Sequence, residues 1–373
     1  MRKNRFGLLI VVLFVLAIII VIPRVVDLDT LYAASTEKIV TSESMHTVLT
    51  TAMLNRTESV KFTYKGKIKE LKATLQKAIE EAMASDPYIQ YNIKSYAYHY
   101  KGNNVSAEVT IDLKYRETKA QTAYVERRVK EILEEIIMPE MNSHEKVEAI
   151  HDWIVLHLAY DVSLRKYTAY DGLATGSTVC QGYSLLAYKM LKQSGIKNQI
   201  VEGQAGGQLH AWNLLLLDGK WYHMDTTWDD PTPNQLGKVS YNYYLLTDEE
   251  MGKDHTWQKQ YPAATSLYRE TLAVLQHTDM NKISAYDRLY NKLDYVLYNE
   301  NKIIHSSADL KGLVKGRIKE EQKAVLFRYS GEKARLLEAL KDLYSLGLNS
   351  VSYYVSDFED TGDMKVKVSW ELK

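Results

Sequence analysis

Two runs, His210–Leu217 and Lys220–Trp228, are joined by Asp218-Gly219, the dipeptide that most strongly favours a two-residue β-hairpin turn. Such a loop leaves no freedom of register. Leu217 must face Lys220, so Trp212 lies opposite Asp225 and His210 opposite Thr227. Successive side chains alternate between faces, which puts His210 and Asp225 on one face as diagonal neighbours, about 7 Å apart at Cβ. Two inward-leaning side chains close that gap to a hydrogen bond. Asn213, the other group able to orient His210, falls on the opposite face, and a one-residue slip would reverse every assignment. The shared face also carries Trp212, Leu214, Leu216, Trp221 and His223, so most of it is packing surface. His223, deeper on that face, reads as structural.

Upstream, Val179-Cys180-Gln181-Gly182-Tyr183 contains the one cysteine of the 373-residue chain. The stretch Asp171–Thr178 reads as a loop leading into a helix from about Cys180 to Ser194, ended by Gly195. A thiol in the first turn of a helix faces unpaired N–H groups and the positive end of the helix dipole, which favour a thiolate. The same N–H groups are able to hold a developing oxyanion. Gly182 permits close approach to that helix end. Alone, Cys180 would read as a buried hydrophobe and His210 as a satisfied core histidine. Together with Asp225 they form a thiol triad: the imidazole takes the thiol proton, the carboxylate holds the imidazole tautomer, and the thiolate attacks an acyl carbon.

Other chemistries find less support. Lys plus Arg and Asp plus Glu number 47 each, so no global field draws the chain to nucleic acid. His144, His151 and His157 fall near one another on a predicted helix, but neither a His-Glu-x-x-His pattern nor paired cysteines accompany them. No glycine-rich phosphate loop is present. Neither a metal nor a cofactor is expected. One cysteine forms no intramolecular disulfide.

Arg2, Lys3 and Arg5 precede an unbroken apolar run, Phe6–Ile22, closed by Pro23 and Arg24. The run reaches the lower limit for a membrane span, roughly 17 residues, and the basic flank predicts a cytoplasmic N-terminus. An uncleaved single-span anchor with the body outside the cytoplasm is the reading adopted. A cleaved signal peptide is its rival, since Ala33-Ala34-Ser35 offers small residues. The expected order is anchor 1–23, stalk 24–55 with a short helix over Glu43 to Leu54, a β-α-β-β unit 56–118, a central domain 119–264, a helical connector 265–320 and a second β-α-β-β unit 321–373. In the first unit Val60, Phe62 and Tyr64 alternate, Gly66 breaks the run, and Leu71 and Leu75 follow at helical spacing. Val325, Phe327, Tyr329, Gly331, Leu336 and Leu340 match them at a constant offset. This reads as an internal repeat, although short units of this type share apolar spacing by necessity. Ahead of the cysteine, Val125, Val129, Ile132, Leu133, Ile136 and Ile137 form one stripe. Asn142 with Glu145 caps the next helix, whose buried stripe is Val147, Ile150, Ile154 and Leu158.

The motifs Tyr170-Asp171-Gly172-Leu173, Val179–Tyr183, Gly195-Ile196, His210-Ala211-Trp212-Asn213, Asp218-Gly219-Lys220-Trp221 and Asp225-Thr226-Thr227-Trp228 resemble the transglutaminase-like superfamily of thiol enzymes. Tyr243–Asp248 followed by Lys253-Asp254-His255 looks like its bacterial, surface-associated branch. The resemblance covers about residues 143–262. It implies an α+β fold with a papain-like core, a nucleophile helix and an antiparallel sheet, here flanked by the two β-α-β-β units. It implies Cys180 as nucleophile, His210 as base and Asp225 as the orienting group, in agreement with the hairpin register. The family's second oxyanion donor lies upstream of the cysteine, where Tyr170 and Trp153 are candidates. The acidic clusters of calcium-dependent relatives are not evident. The expected function is an exported acyl transfer or hydrolysis on peptide-type amides through a thioester, with a protein or cell-wall peptide as substrate. The alternative is an inactive surface binding or scaffolding module. Oligomeric state is left open.

Overall fold

The computed structural model describes residues 39–230, 238–359 and 361–372. They fall into two compact units, one ending at Ser266 and the other beginning at Leu267. The apolar run Phe6–Ile22 lies outside the described residues. Among those described, no helix is long and apolar enough to cross a membrane.

The first unit begins with β1 (Ile39–Val40), α1 (Ser42–Leu54), β2 (Ser59–Lys65), α2 (Ile68–Ala84), α3 (Pro87–Asn92), β3 (Ile93–Gly102) and β4 (Ser106–Tyr115), its strands ordered β1-β2-β4-β3. The α2 stripe of Leu71, Leu75, Ala78 and Ile79 packs with Phe62, Tyr64, Val109 and Ile111 in one core. Met45, Leu49 and Met53 of α1 join that core. Residues 24–55 are therefore not a stalk throughout. Apolar residues recurring every fourth position present one face of a helix, and Ser44 Oγ accepts from the Thr41 N–H at 3.0 Å to start it. Asp86-Pro87 ends α2 and also begins α3. The Asp86 carboxylate caps Tyr88 N–H at 2.7 Å, and proline suits the first helical position, where its missing N–H costs nothing.

The central domain follows within the same unit. In α4 (Lys119–Ile136) Val125, Val129, Ile132 and Leu133 are buried, and in α5 (Ser143–His157) Val147, Ile150 and Ile154. The Asn142 side chain accepts from Glu145 N–H while Glu145 accepts from Asn142 N–H, each at 3.0 Å. β5 (Ala159–Tyr160) pairs in parallel with β6 (Ser177–Thr178). Most of the stretch expected as a loop, Asp171–Thr178, is instead α6 (Ala169–Thr175) and β6. Thr168 caps Asp171 N–H while Asp171 accepts from Thr168 N–H, both at 3.0 Å, a reciprocal capping box. Gly176, left-handed at φ 68°, closes the helix.

α7 (Cys180–Gln193) leads to β7 (Asn198–Ala205), β8 (Gln208–Leu217), β9 (Lys220–Met224), β10 (Tyr244–Leu246), α8 (Asp248–Met251) and β11 (His255–Thr256). The five strands form one antiparallel sheet ordered β10-β9-β8-β7-β11. Leu217 faces Lys220 and Leu214 faces His223, the register that the two-residue turn requires. Asp218 and Gly219 have φ of 48° and 80°, positive at both turn positions as this hairpin type demands. α7 covers one face. Asn213 Nδ2 donates to Ser184 O at 3.1 Å, and Ser184 Oγ donates to Ala211 O at 2.7 Å. The other face buries Val201, Trp212 and Leu214 with Met251 and Ala264.

The second unit runs through α9 (Tyr268–Thr278), α10 (Ile283–Lys292), α11 (Ser307–Lys319), β12 (Ala324–Tyr329), α12 (Lys333–Asp342), β13 (Leu348–Phe358) and β14 (Asp363–Leu372). Its strand order, β12-β14-β13, is that of β2-β4-β3. Gly66 and Gly331 occupy matching positions. A Cβ on Gly66 would meet Tyr64 Oη at 2.4 Å, and one on Gly331 would meet Tyr329 Cε1 at 3.2 Å. The same sequence offset carries α1 onto α11, whose Leu310 and Val314 lie in the core of this unit. Ile304 bridges Tyr329 in parallel, as Val40 pairs with Tyr64. The repeated element is thus larger than β-α-β-β, with a leading helix in each copy. Residues 265–320 are correspondingly not only a connector.

Candidate active site

α7 opens at Cys180, with Val179 in extended conformation ahead of it. Helix geometry leaves the first N–H groups without an intrahelical acceptor, so those of Cys180 and Gln181 stand beside the thiol. The contact between Ser184 and Ala211, one turn along, sets this helix end against the start of β8. There the buried Cys180 side chain lies within electrostatic reach of the His210 ring. His210 Nε2 donates to Asp225 Oδ2 at 2.6 Å, which leaves Nδ1 for the thiol. All three residues taken from the sequence are brought together.

The electrostatics of the trio are tightly coupled. Burial resists charging the His210 ring, but the Asp225 carboxylate and the Cys180 side chain prevail and push the imidazole up to about 10. Burial also opposes charge on Asp225, yet His210 and a second imidazole hold its carboxyl well below the usual range. Asp225 Oδ1 accepts from the backbone N–H groups of Thr227 and Trp228 at 2.9 and 3.3 Å.

That second imidazole, His255, is the residue that sequence reasoning missed. Its Nε2 lies 3.2 Å from Asp225 Oδ2 and its Nδ1 2.6 Å from Asp254 Oδ1. It sits on the two-residue strand β11, paired with Ala205 and Gln204 of β7. The Lys253-Asp254-His255 motif was visible, but a strand this short has no period from which to assign a face. His210, Asp225 and His255 are the one group among the described residues offering ligand atoms within 4.8 Å of one another for a metal ion. Both imidazoles meet the same carboxylate oxygen at hydrogen-bond distance, so protons suffice to explain the cluster.

The other histidines separate as packing groups. His223 Nδ1 accepts from Trp212 Nε1 at 2.9 Å and its Nε2 faces Asp248 Oδ1 at 2.8 Å. His144 pairs with Asp218, His151 with Asp152 and Asp229, and His157 with the Trp153 carbonyl. They do not converge.

The two candidates for the second oxyanion donor are packed on other rings. Tyr170 packs edge-on against Tyr124 at 5.4 Å, and Trp153 stacks on His157 at 4.4 Å. The phenol of Tyr160 on β5 lies within electrostatic reach of Cys180, as does that of Tyr91 on α3. Burial, reinforced by Cys180 and neighbouring acidic groups, pushes the Tyr160 phenol up to about 12, so it keeps its proton. Parallel pairing of β5 with β6, two residues before Cys180, brings it there. Its distance from Cys180 in sequence hid it.

Gln181 is a strut. Its Nε2 donates to Tyr91 O at 3.3 Å and to Tyr167 O at 3.1 Å, tying α3 and the segment before α6 to the nucleophile helix. Tyr91 Oη donates to Glu202 at 2.6 Å. A cavity of about 230 Å³ lies between α3 and β7, with Gln90, Tyr91, Asn198, Glu202 and Tyr261 among its walls. Gly182 is also occupied from within. A Cβ there would stand 1.9 Å from Thr178 Oγ1 and 2.8 Å from Thr168 O, so the group approaching the helix closely is the protein's own β6 segment.

Residues 130–226 match the family model described as the transglutaminase-like superfamily. The mouse (Mus musculus) kyphoscoliosis peptidase is 28% identical over 153 residues, 35% of this chain and 23% of that protein. The human (Homo sapiens) protein of the same name is 27% identical over 139 residues, 31% of this chain and 21% of its own length. The match therefore spans under a quarter of these curated relatives. A crystal structure of a TGase is 15% identical, with 62% of this chain and 68% of that chain covered at a TM-score of 0.28, a likeness too loose to carry weight. Cys180, His210 and Asp225 all fall within the matched segment, and the centre of this chain is a transglutaminase-like domain of mixed α and β content.

Proposed function

We propose that the protein is a thiol-dependent enzyme acting on peptide-type amides by acyl transfer or hydrolysis, with Cys180 as nucleophile, His210 as base and Asp225 as the group that orients it. The observation that carries this reading is the His210–Asp225 hydrogen bond at 2.6 Å, with the Cys180 side chain at the start of α7 within electrostatic reach of the same imidazole.

The chemistry follows from the positions. Cys180 and His210 act as a thiolate–imidazolium pair, the proton of the thiol being held on His210 Nδ1, and the sulfur attacks the amide carbon. The negative charge that develops on the carbonyl oxygen is met by the N–H groups of Cys180 and Gln181 and by the protonated Tyr160 phenol. Collapse breaks the C–N bond, the leaving nitrogen takes the proton from His210, and a thioester to Cys180 remains. Water resolves that thioester in hydrolysis, or an amine in cross-linking. Asp225, already holding Nε2–H, keeps Nδ1 directed at the sulfur in both half-reactions. The run Phe6–Ile22 supports placing this activity outside the cytoplasm on a membrane anchor, with a protein or cell-wall peptide as substrate.

The test is turnover by the full chain on a fluorescently labelled casein, alongside incorporation of dansylcadaverine into it. Peptide release, amine incorporation or both are expected from the wild type, with neither from Cys180→Ser. Activity that survives Cys180→Ser would overturn the assignment. Absence of both activities, together with full biological complementation by Cys180→Ser, would favour the scaffolding alternative.

A further inference from the structure

We infer that His255 is a positioning residue of the same site, a fourth member that locks Asp225 and so holds the His210 imidazole toward Cys180. The inference rests on the thiol-enzyme reading above and adds a residue to it.

The geometry is a relay of hydrogen bonds. Asp225 Oδ2 receives His210 Nε2 at 2.6 Å and His255 Nε2 at 3.2 Å. The opposite nitrogen of His255 faces Asp254 Oδ1 at 2.6 Å, and Asp254 Oδ2 in turn accepts from Tyr243 Oη at 2.6 Å. Asp225 and His255 are both buried, whereas Asp254 is 39% exposed. The line thus runs from the surface to the imidazole beside the thiol.

The backbone N–H groups of Thr227 and Trp228 anchor Oδ1 of this carboxylate, but at Oδ2 the His210 ring would otherwise be its one hydrogen-bond partner among the described residues. His255 adds a second partner at Oδ2 and so fixes the oxygen that His210 meets. The backbone N–H groups of Thr227 and Trp228 hold Oδ1, and the two imidazoles hold Oδ2, so every face of the carboxylate is used. His255 is itself wedged. Trp228 meets its ring at 4.7 Å, Trp212 at 5.0 Å and Tyr243 at 5.3 Å. The charged or titratable groups around it are Asp225, Asp254, His210 and His223. Gly203 permits the arrangement, because a Cβ there would meet Thr256 O at 2.1 Å and Trp212 Cη2 at 2.8 Å, and β11 would be pushed off β7.

The experiment uses the full chain and the rate at which iodoacetamide alkylates Cys180 between pH 5 and 9. With one cysteine in the chain, the rate belongs to that residue without a substrate being known. His255→Phe keeps the ring and removes both hydrogen bonds. His255→Gln keeps a donor at the reach of Nε2. His210→Ala serves as the reference. The expected result is a roughly tenfold loss of rate near pH 6 in His255→Phe, the size of one charge-assisted hydrogen bond, with most of the rate restored in His255→Gln. A His255→Phe profile that overlays the wild type while His210→Ala departs from it would overturn the inference and leave the thiol–imidazole pair standing. Loss in Phe and Gln variants alike, in step with their thermal midpoints, would reduce His255 to packing and also overturn it. If His210→Ala itself changes nothing, the underlying enzyme reading fails, and this inference with it.

Discussion

Replacing Gly182 by alanine sets two effects of known sign against each other. Alanine in a helix interior is favoured over glycine by about 0.5–1 kcal/mol, so on propensity alone α7 would be strengthened. The new Cβ, however, would stand 1.9 Å from Thr178 Oγ1, 2.7 Å from Thr178 Cγ2 and 2.8 Å from Thr168 O. Thr178 has nowhere to go, because it is wholly buried and its hydroxyl donates to Lys166 O at 3.1 Å. Overpacking of this kind costs about 1–3 kcal/mol, and turning the hydroxyl away adds about 1 kcal/mol for the lost bond. The net is a destabilisation of about 2 kcal/mol, or roughly 4–8 °C in the thermal midpoint for a unit of this size. Circular dichroism melts of wild type and Gly182→Ala measure it. Gly182→Ala with Thr178→Ala supplies the control, and its midpoint should lie above the sum of the two single effects, since the residues touch. A midpoint for Gly182→Ala at or above the wild type would mean that helix propensity prevails and that β6 does not press on the nucleophile helix as described.

Two further outcomes follow from particular contacts. Met45→Ala removes a fully buried side chain from the core shared with α2 and should cost about 2–5 kcal/mol in chemical denaturation; a neutral effect would return residues 42–54 to a stalk. His210 is raised from 6.5 to about 10, so its imidazolium–Asp225 pair contributes stability that is complete below pH 6.5 and lost as pH rises through about 10. The gap in thermal midpoint between wild type and Asp225→Asn should therefore be widest near pH 6 and narrow above pH 9, and a gap constant across that range would contradict the coupling.

The site was legible wherever local chemistry leaves one solution. Asp218-Gly219 admits a two-residue turn, that turn sets the register, and the register puts His210 and Asp225 on one face. Nothing tertiary was required. Cys180 was legible for a similar reason, as a thiol at a helix start. What escaped notice depends on contacts between segments distant in sequence. Tyr160 reaches Cys180 because β5 pairs with β6, and His255 reaches Asp225 because β11 adds to the edge of β7, yet two-residue strands carry no readable period. α6 was taken for a loop because its seven residues are too few to show a stripe, although its Thr168–Asp171 capping box was in plain view. The helices α1 and α11 were expected as helical stretches, but not as members of the two cores. Met45, Leu49 and Met53 are too few apolar residues to declare a face alone, and only superposition on Leu310, Val314 and Ile318 gives them meaning.

The most direct test of the central claim is the pH dependence of Cys180 alkylation in the full chain, measured for wild type and His210→Ala. The account predicts rapid alkylation already at pH 6 in the wild type, and in His210→Ala a rate at that pH lower by an order of magnitude or more. Equal rates for the two proteins across the whole range, or a thiol that stays inert in the folded protein at every pH, would contradict it.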